Sequence, residues 1–205
     1  LFDTVIRIAT RIRDSSEIGE KVSSVGDEVI KLAEESMDNI NSKHILLIGT
    51  GETAGMVAKS LNKKNYAFDV TSMTIERATG FSKILGGKPI EFEDVMQGFD
   101  KFDLIFVATT ADAFLITFDK INRIMKAKKK GTLILDLSDP RTVDETISSI
   151  KGIKLVNPSQ IAEMMEESTK SRKDAVSATE KMIGPEIPIL EATLRRLDGN
   201  PLVNS

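Results

Sequence analysis

Short, mainly apolar runs alternate along this chain with longer stripes of helical period. Ile45 to Ile48, Ala67 to Met73, Leu104 to Ala108, Thr132 to Leu137 and the brief Ile153 to Val156 predict strands, with Leu104 to Ala108 a buried one. Between them, helices are predicted over Ala54 to Leu61, Glu76 to Leu85 and Asp119 to Ala127. The alternation is a βαβ rhythm, and right-handed crossovers make the sheet parallel and doubly wound.

The expected fold class is therefore α/β, a Rossmann-like doubly wound, mostly parallel sheet with helical extensions at both ends. At the front, Val5, Ile8, Ala9 and Ile12 recur at helical spacing within Leu1 to Arg13, and Val25 to Met37 repeats the pattern with Val25, Val29, Leu32 and Ala33. At the back, Pro158 opens a long, mostly polar helical register that runs towards Met182, where Gly184, Pro185 and Pro188 are expected to kink or break it. An amphipathic segment, Ile189 to Leu197, leads to a turn at Asp198 to Pro201. These patterns divide the chain into a helical segment (1–40), a nucleotide-binding domain (41–157) and a long helix with a C-terminal extension (158–205).

The strand Ile45 to Ile48 ends directly on G-x-G-x-x-A, spelled Gly49, Thr50, Gly51, Glu52, Thr53 and Ala54. Gly49 allows a tight turn out of the strand, Gly51 lets backbone approach a pyrophosphate, and Ala54 is small enough for the helix to pack on the strand. The helix N-terminus then offers free N–H groups and its dipole to an anion.

The end of the second strand selects the dinucleotide, since an acid there binds a ribose 2′-hydroxyl and a basic group accepts a 2′-phosphate. That end reads Thr71-Ser72-Met73-Thr74, without an acid, and Asp69 lies too early in the strand. Ser72, Thr74 and Arg77 favour a phosphate there, so NADPH is expected over NADH; Thr74 reads equally well as a helix cap. Thr109 and Thr110, after the strand Leu104 to Ala108, line a cofactor on one reading and make an ordinary polar strand exit on the other. Asp136 to Arg141 ends the next strand at the same carboxyl edge, where open α/β sheets bind ligands. His44, the single histidine, precedes the first strand at the opposite edge and is read as structural. Met164 and Met165 are read as packing surface, and Lys126 to Lys130 as a solvated helix end.

Composition narrows the classes. With 205 residues, net charge −3 and pI near 5.4, the chain has no broadly cationic surface for nucleic acid. It has no cysteine, so disulfides, a thiol nucleophile and cysteine-ligated zinc are excluded within it; no catalytic residue and no metal site are expected. No apolar stretch approaches the length of about 20 residues that spans a bilayer, and a cytoplasmic location is expected. The chain opens at Leu1 in the middle of an amphipathic pattern, as an excised piece of a longer protein would.

In this order and spacing the motifs resemble those of glutamyl-tRNA reductase over nearly the whole chain. Leu1-Phe2 with Arg11-Ile12-Arg13 is similar to that family's L-F…R-V-R, and Ile18 through Ala33 follows I-x-x-G-A-V-S-V loosely. Gly49 to Ala54 parallels G-A-G-E-M-G, keeping Glu52 and replacing the last glycine with Ala54. Thr74 to Ala78 is similar to T-x-E-R-A, and Asp136 to Arg141 to D-I-A-V-P-R. Two departures stand out: Ser72-Met73-Thr74 where the family has N-R-T, and Ala108 to Asp112 where it has S-T-G-A-P. The arginine that would grip the 2′-phosphate is thus absent, leaving Arg77 to compensate.

The resemblance implies the NADPH-binding part of an enzyme that reduces glutamyl-tRNA to glutamate-1-semialdehyde at the start of tetrapyrrole synthesis. It also implies glutamyl-tRNA as partner, a homodimer in the full-length protein whose dimerisation region starts within 158–205, and a thioester-forming cysteine in an N-terminal domain that this chain lacks; alone, the chain is expected to be inactive. Two other readings stay open: a small-metabolite dehydrogenase of the shikimate or precorrin-2 type, for which no convincing substrate lysine and aspartate pair is found, and a non-enzymatic nucleotide sensor. S-adenosylmethionine binding is disfavoured by the missing acid after strand two, and a P-loop by the missing Gly-Lys-Ser/Thr.

Overall fold

The computed structural model describes residues 24–111, 113–126, 131–184 and 188. Six parallel strands form one sheet: β1 (Ile45–Ile48), β2 (Phe68–Thr71), β3 (Lys88–Pro89), β4 (Leu104–Val107), β5 (Thr132–Asp136) and β6 (Ile153–Val156), in the order β3-β2-β1-β4-β5-β6. Every residue of β1, β4 and β5 is buried, as expected of central parallel strands covered on both faces. The Rossmann-like doubly wound fold is thus present, and its sheet is entirely parallel.

The helices are α1 (Val25–Ser36), α2 (Glu52–Lys63), α3 (Ile75–Leu85), α4 (Phe92–Gln97), α5 (Phe118–Met125) and α6 (Pro158–Ile183). On one face of the sheet Leu46, Ile48, Ile105, Val107 and Ile134 pack with Val95, Phe99, Phe102, Ile121, Met125 and Ile147. The alternation of side chains along each strand sends Leu47 and Phe106 to the other face, and Val57, Ala58 and Leu61 of α2 are buried as well.

Residues Ser23–Glu163 make one compact unit, and the described part of the other consists of α6 from Met164 with Gly184 and Pro188. Helix α1, which the pattern places before the nucleotide domain, packs on α2 within the first unit. Gly26 makes this crossing close: a β-carbon there would lie 2.6 Å from the carbonyl carbon of Met56 and 2.8 Å from Ser60 Oγ. Ser24 caps α1 by accepting the Asp27 amide at 3.2 Å. Asp27 Oδ1 in turn accepts from Ser60 Oγ at 2.9 Å and from Lys63 Nζ at 3.3 Å. At the other end Tyr66 donates to Glu34 Oε1 at 2.8 Å and Lys64 to Oε2 at 3.1 Å. Burial opposes ionisation of both carboxyls, but the Ser60 hydroxyl and Lys63 hold Asp27 below the ordinary value, and Lys64 and Tyr66 do the same for Glu34.

Among the described strands and α-helices, two have no counterpart in the sequence expectation. The edge strand β3 is two residues long and contains Pro89, and α4 has six residues, too short to show a helical period. Conversely, Ser72 and Met73, expected to extend β2, leave the ladder after Thr71. Helix α6 ends at Ile183, immediately before Gly184. The amphipathic segments Leu1 to Arg13 and Ile189 to Leu197, the turn at Asp198 to Pro201, and residues 127–130 lie outside the described residues. Among the described residues no helix is long and apolar enough to cross a membrane.

Candidate functional site

β1 pairs with β2 on one side and with β4 on the other; the chain runs from β1 out to β2 and β3 and then crosses back to β4, so the direction of winding reverses beside β1. The carboxyl ends of β1 and β4 therefore flank the crevice characteristic of doubly wound sheets. A cleft of about 680 Å³ opens there, within the size range of small-molecule sites.

The glycine loop forms its floor. Gly49 has φ 119°, outside the range L side chains favour, and a β-carbon there would lie 2.7 Å from the Ala108 carbonyl carbon. Its amide donates to Thr71 O at 2.9 Å, so the turn is fixed to β2 on one side while it presses on β4 on the other. Gly51 is different: its backbone is extended, with φ −83° and ψ −170°, and a β-carbon there would meet nothing within 4 Å. As N-cap of α2 it brings no side-chain acceptor, unlike Ser24 on α1 and Thr74 on α3. Among the described residues no side chain caps the first turn of α2, and Thr50 to Thr53 line the cleft, which is what an anion-binding helix start requires.

Of the residues singled out from sequence, Thr50, Gly51, Glu52, Thr53, Ser72, Met73, Arg77, Thr109 and Thr110 line this cleft. The Thr50 and Ser72 hydroxyls lie 3.2 Å apart and join the glycine loop to the end of β2. Met73 stands on the rim, 72% exposed. Arg77 is exposed on the first turn of α3 and has no carboxylate partner among the described residues. Three expected residues are not in the cleft wall. Gly49 lies beneath it, Ala54 is fully buried where α2 meets the sheet, and Thr74 caps α3 by accepting the Arg77 amide at 3.4 Å.

Six lining residues were not singled out as site residues: Ala108, Ala111, Ala113, Leu115, Leu137 and Asp139. The signal for Leu137 and Asp139 was their place just beyond a buried strand at the carboxyl edge, and Ala108 directly follows β4. Leu115 has no such local signal. It arrives because its amide donates to Thr142 O at 2.8 Å, across two loops. His44 is exposed at the opposite edge, with its amide donating to Asp103 Oδ2 at 3.2 Å, and neither Met164 nor Met165 lines the cleft. No group of three or more metal-ligating side chains occurs among the described residues.

Comparison with known proteins decides the family. The family described as shikimate / quinate 5-dehydrogenase matches residues 31–164, more than half of the chain. The chain belongs to that family. The chain is also a homologue of glutamyl-tRNA reductases: it is 48% identical over its whole length to the glutamyl-tRNA reductase of Cenarchaeum symbiosum, spanning 49% of that protein. In solved structures, the glutamyl-tRNA reductase of Methanopyrus kandleri superposes with a TM-score of 0.80 at 27% identity, over 96% of this chain and 50% of the other. The glutamyl-tRNA reductase nucleotide-binding domain from Thermoplasma volcanium shares the fold, with a TM-score of 0.56 at 18% identity over 75% of this chain and 99% of that domain.

This glutamyl-tRNA reductase homologue therefore carries a dehydrogenase-family α/β domain and spans about half the length of the curated relatives it matches. The family is one of oxidoreductases.

Proposed function

We propose that this chain is the NADPH-binding part of a glutamyl-tRNA reductase, the enzyme that reduces glutamyl-tRNA to glutamate-1-semialdehyde in tetrapyrrole synthesis. The observation that carries the reading is the uncapped start of α2 at Gly51, opening into a cleft whose β2 side presents Ser72, Met73 and Arg77. A pyrophosphate fits the free amides and positive dipole end of α2, approaching where Gly51 has no side chain. Ser72 and Arg77 then meet the adenosine ribose, where Arg77 supplies the charge for a 2′-phosphate in place of an arginine directly after β2. Thr109 and Thr110, across the crevice beyond β4, lie on the side left for the nicotinamide.

When bound, NADPH supplies a hydride; the chain's own residues bind and orient it. The chain has no cysteine, so the thioester that receives the hydride belongs to the part of the relatives this chain does not span, along with recognition of glutamyl-tRNA, while the dimerisation region starts within 158–205. Alone, the chain is inactive on glutamyl-tRNA. The shikimate-type alternative is weakened by the 48% identity to a glutamyl-tRNA reductase across the whole chain.

A fluorescence titration with NADPH tests this, repeated with NADH and in competition with NADP+, adenosine nucleotides and S-adenosylmethionine. Saturable binding that prefers NADPH is expected. Arg77→Ala should weaken NADPH about 10- to 100-fold, the worth of a charge-assisted contact, and barely affect NADH. Binding of S-adenosylmethionine without NADPH, or of neither, contradicts the reading.

A further inference from the structure

The loops that follow β4 and β5 are tied together by side chains that do not reach the cleft. Asp136 ends β5 and is only 1% exposed. Its Oδ1 accepts the Ser138 amide at 3.0 Å, and its Oδ2 accepts the amides of Thr142 and Val143, both at 3.1 Å. The Thr142 hydroxyl donates to Ser138 Oγ at 3.0 Å, and the same Ser138 oxygen accepts the Thr109 amide at 3.3 Å. Ile116 and Val143 form a parallel bridge, with the Asp144 amide donating to Ile116 O at 2.9 Å.

The consequence is a single braced wall. The Ala108–Thr109 peptide is held from one side by Gly49, which packs against the Ala108 carbonyl, and from the other by Ser138. Ala108, Thr109, Leu115, Leu137 and Asp139, all cleft-lining, belong to this body. The strand order puts it beyond β4, on the side of the crevice away from Ser72 and Arg77. A buried carboxylate accepting three backbone amides is fully engaged within the protein and organises the loop around it.

We propose that Asp136 and Ser138 are positioning residues for the nicotinamide end of a bound dinucleotide, bracing the Ala108–Thr109 peptide and the loop after β5 without touching the ligand themselves. The proposal rests on the dinucleotide reading of the cleft. It goes further in dividing the site into two halves, only one of which depends on this network.

The test compares NADPH with 2′,5′-ADP, which has the adenosine end and no nicotinamide, on the wild-type chain, Ser138→Ala and Asp136→Asn. Ser138→Ala removes one buried hydroxyl and leaves the three backbone amides on Asp136 in place. For Ser138→Ala, 2′,5′-ADP affinity should stay within about twofold while NADPH affinity falls about tenfold, the equivalent of one net hydrogen bond, and the bound nicotinamide's emission enhancement declines. Asp136→Asn should show the same selective loss more strongly. Should Asp136→Asn not fold, Ser138→Ala decides alone. Equal weakening of both ligands, or no change in either, overturns the positioning role while leaving the dinucleotide reading intact. If the wild type binds neither ligand, both fall.

Discussion

The two glycines of the phosphate loop should fail in opposite ways when substituted. Alanine at Gly49 has to adopt φ 119° or distort the turn, at a cost of ~1–3 kcal/mol. Its β-carbon would also lie 2.7 Å from the Ala108 carbonyl carbon, in backbone fixed by the Ala108 amide donating to Ile48 O at 2.8 Å. Overpacking of this kind costs a further ~1–3 kcal/mol. Against a domain stability of ~5–15 kcal/mol and a urea slope of ~1–3 kcal/mol/M, Gly49→Ala should lower the urea midpoint by about 1 M or more. Gly51→Ser meets neither obstacle, because φ is −83° and nothing lies within 4 Å. A serine N-cap gains a few tenths of a kcal/mol by accepting a first-turn amide, so the midpoint should hold or rise slightly. The same hydroxyl competes with the phosphate for that amide, so nucleotide binding should weaken. Paired urea melts and NADPH titrations check both halves; equal midpoints for the two variants, or an unchanged midpoint for Gly49→Ala, would refute the reasoning.

The contact between α1 and α2 should loosen in acid. Asp27 and Glu34 have folded values lowered by Ser60 with Lys63 and by Lys64 with Tyr66, so their contribution is present above the unfolded values and lost as pH falls through the folded ones, below about pH 4. Both pairs are partly solvated, so the effect is modest; urea midpoints at pH 7 and pH 3 should converge when Asp27→Asn and Glu34→Gln are combined. Gly26→Val places side-chain atoms against Met56 backbone and should speed amide exchange at Val29 to Ala33 in α1 while sparing nucleotide affinity. Unchanged exchange would mean that the two helices can separate without strain.

The central strands were legible because β1, β4 and β5 are buried on both faces and so read as uninterrupted apolar runs. The phosphate loop was legible because its constraints are local: a turn, an open approach and a tight helix contact within six residues. What escaped was non-local. Lys88–Pro89 is a strand only because Val70 and Asp69 lie beside it. Leu115 reaches the cleft through a loop pairing organised by Asp136, whose three amide donors lie two to seven residues away. Thr74 shows the limit of residue type alone, since a hydroxyl after β2 suits a phosphate and a helix cap equally, and here it is the cap of α3.

The most direct test of the central claim is an amide NMR titration of this chain with NADPH. The account predicts shifts confined to Thr50–Thr53, Ser72–Met73, Arg77 and Thr109–Ala111, with those at Arg77 missing when NADH replaces NADPH. Shifts centred elsewhere on the fold, or identical at Arg77 for both cofactors, would contradict it.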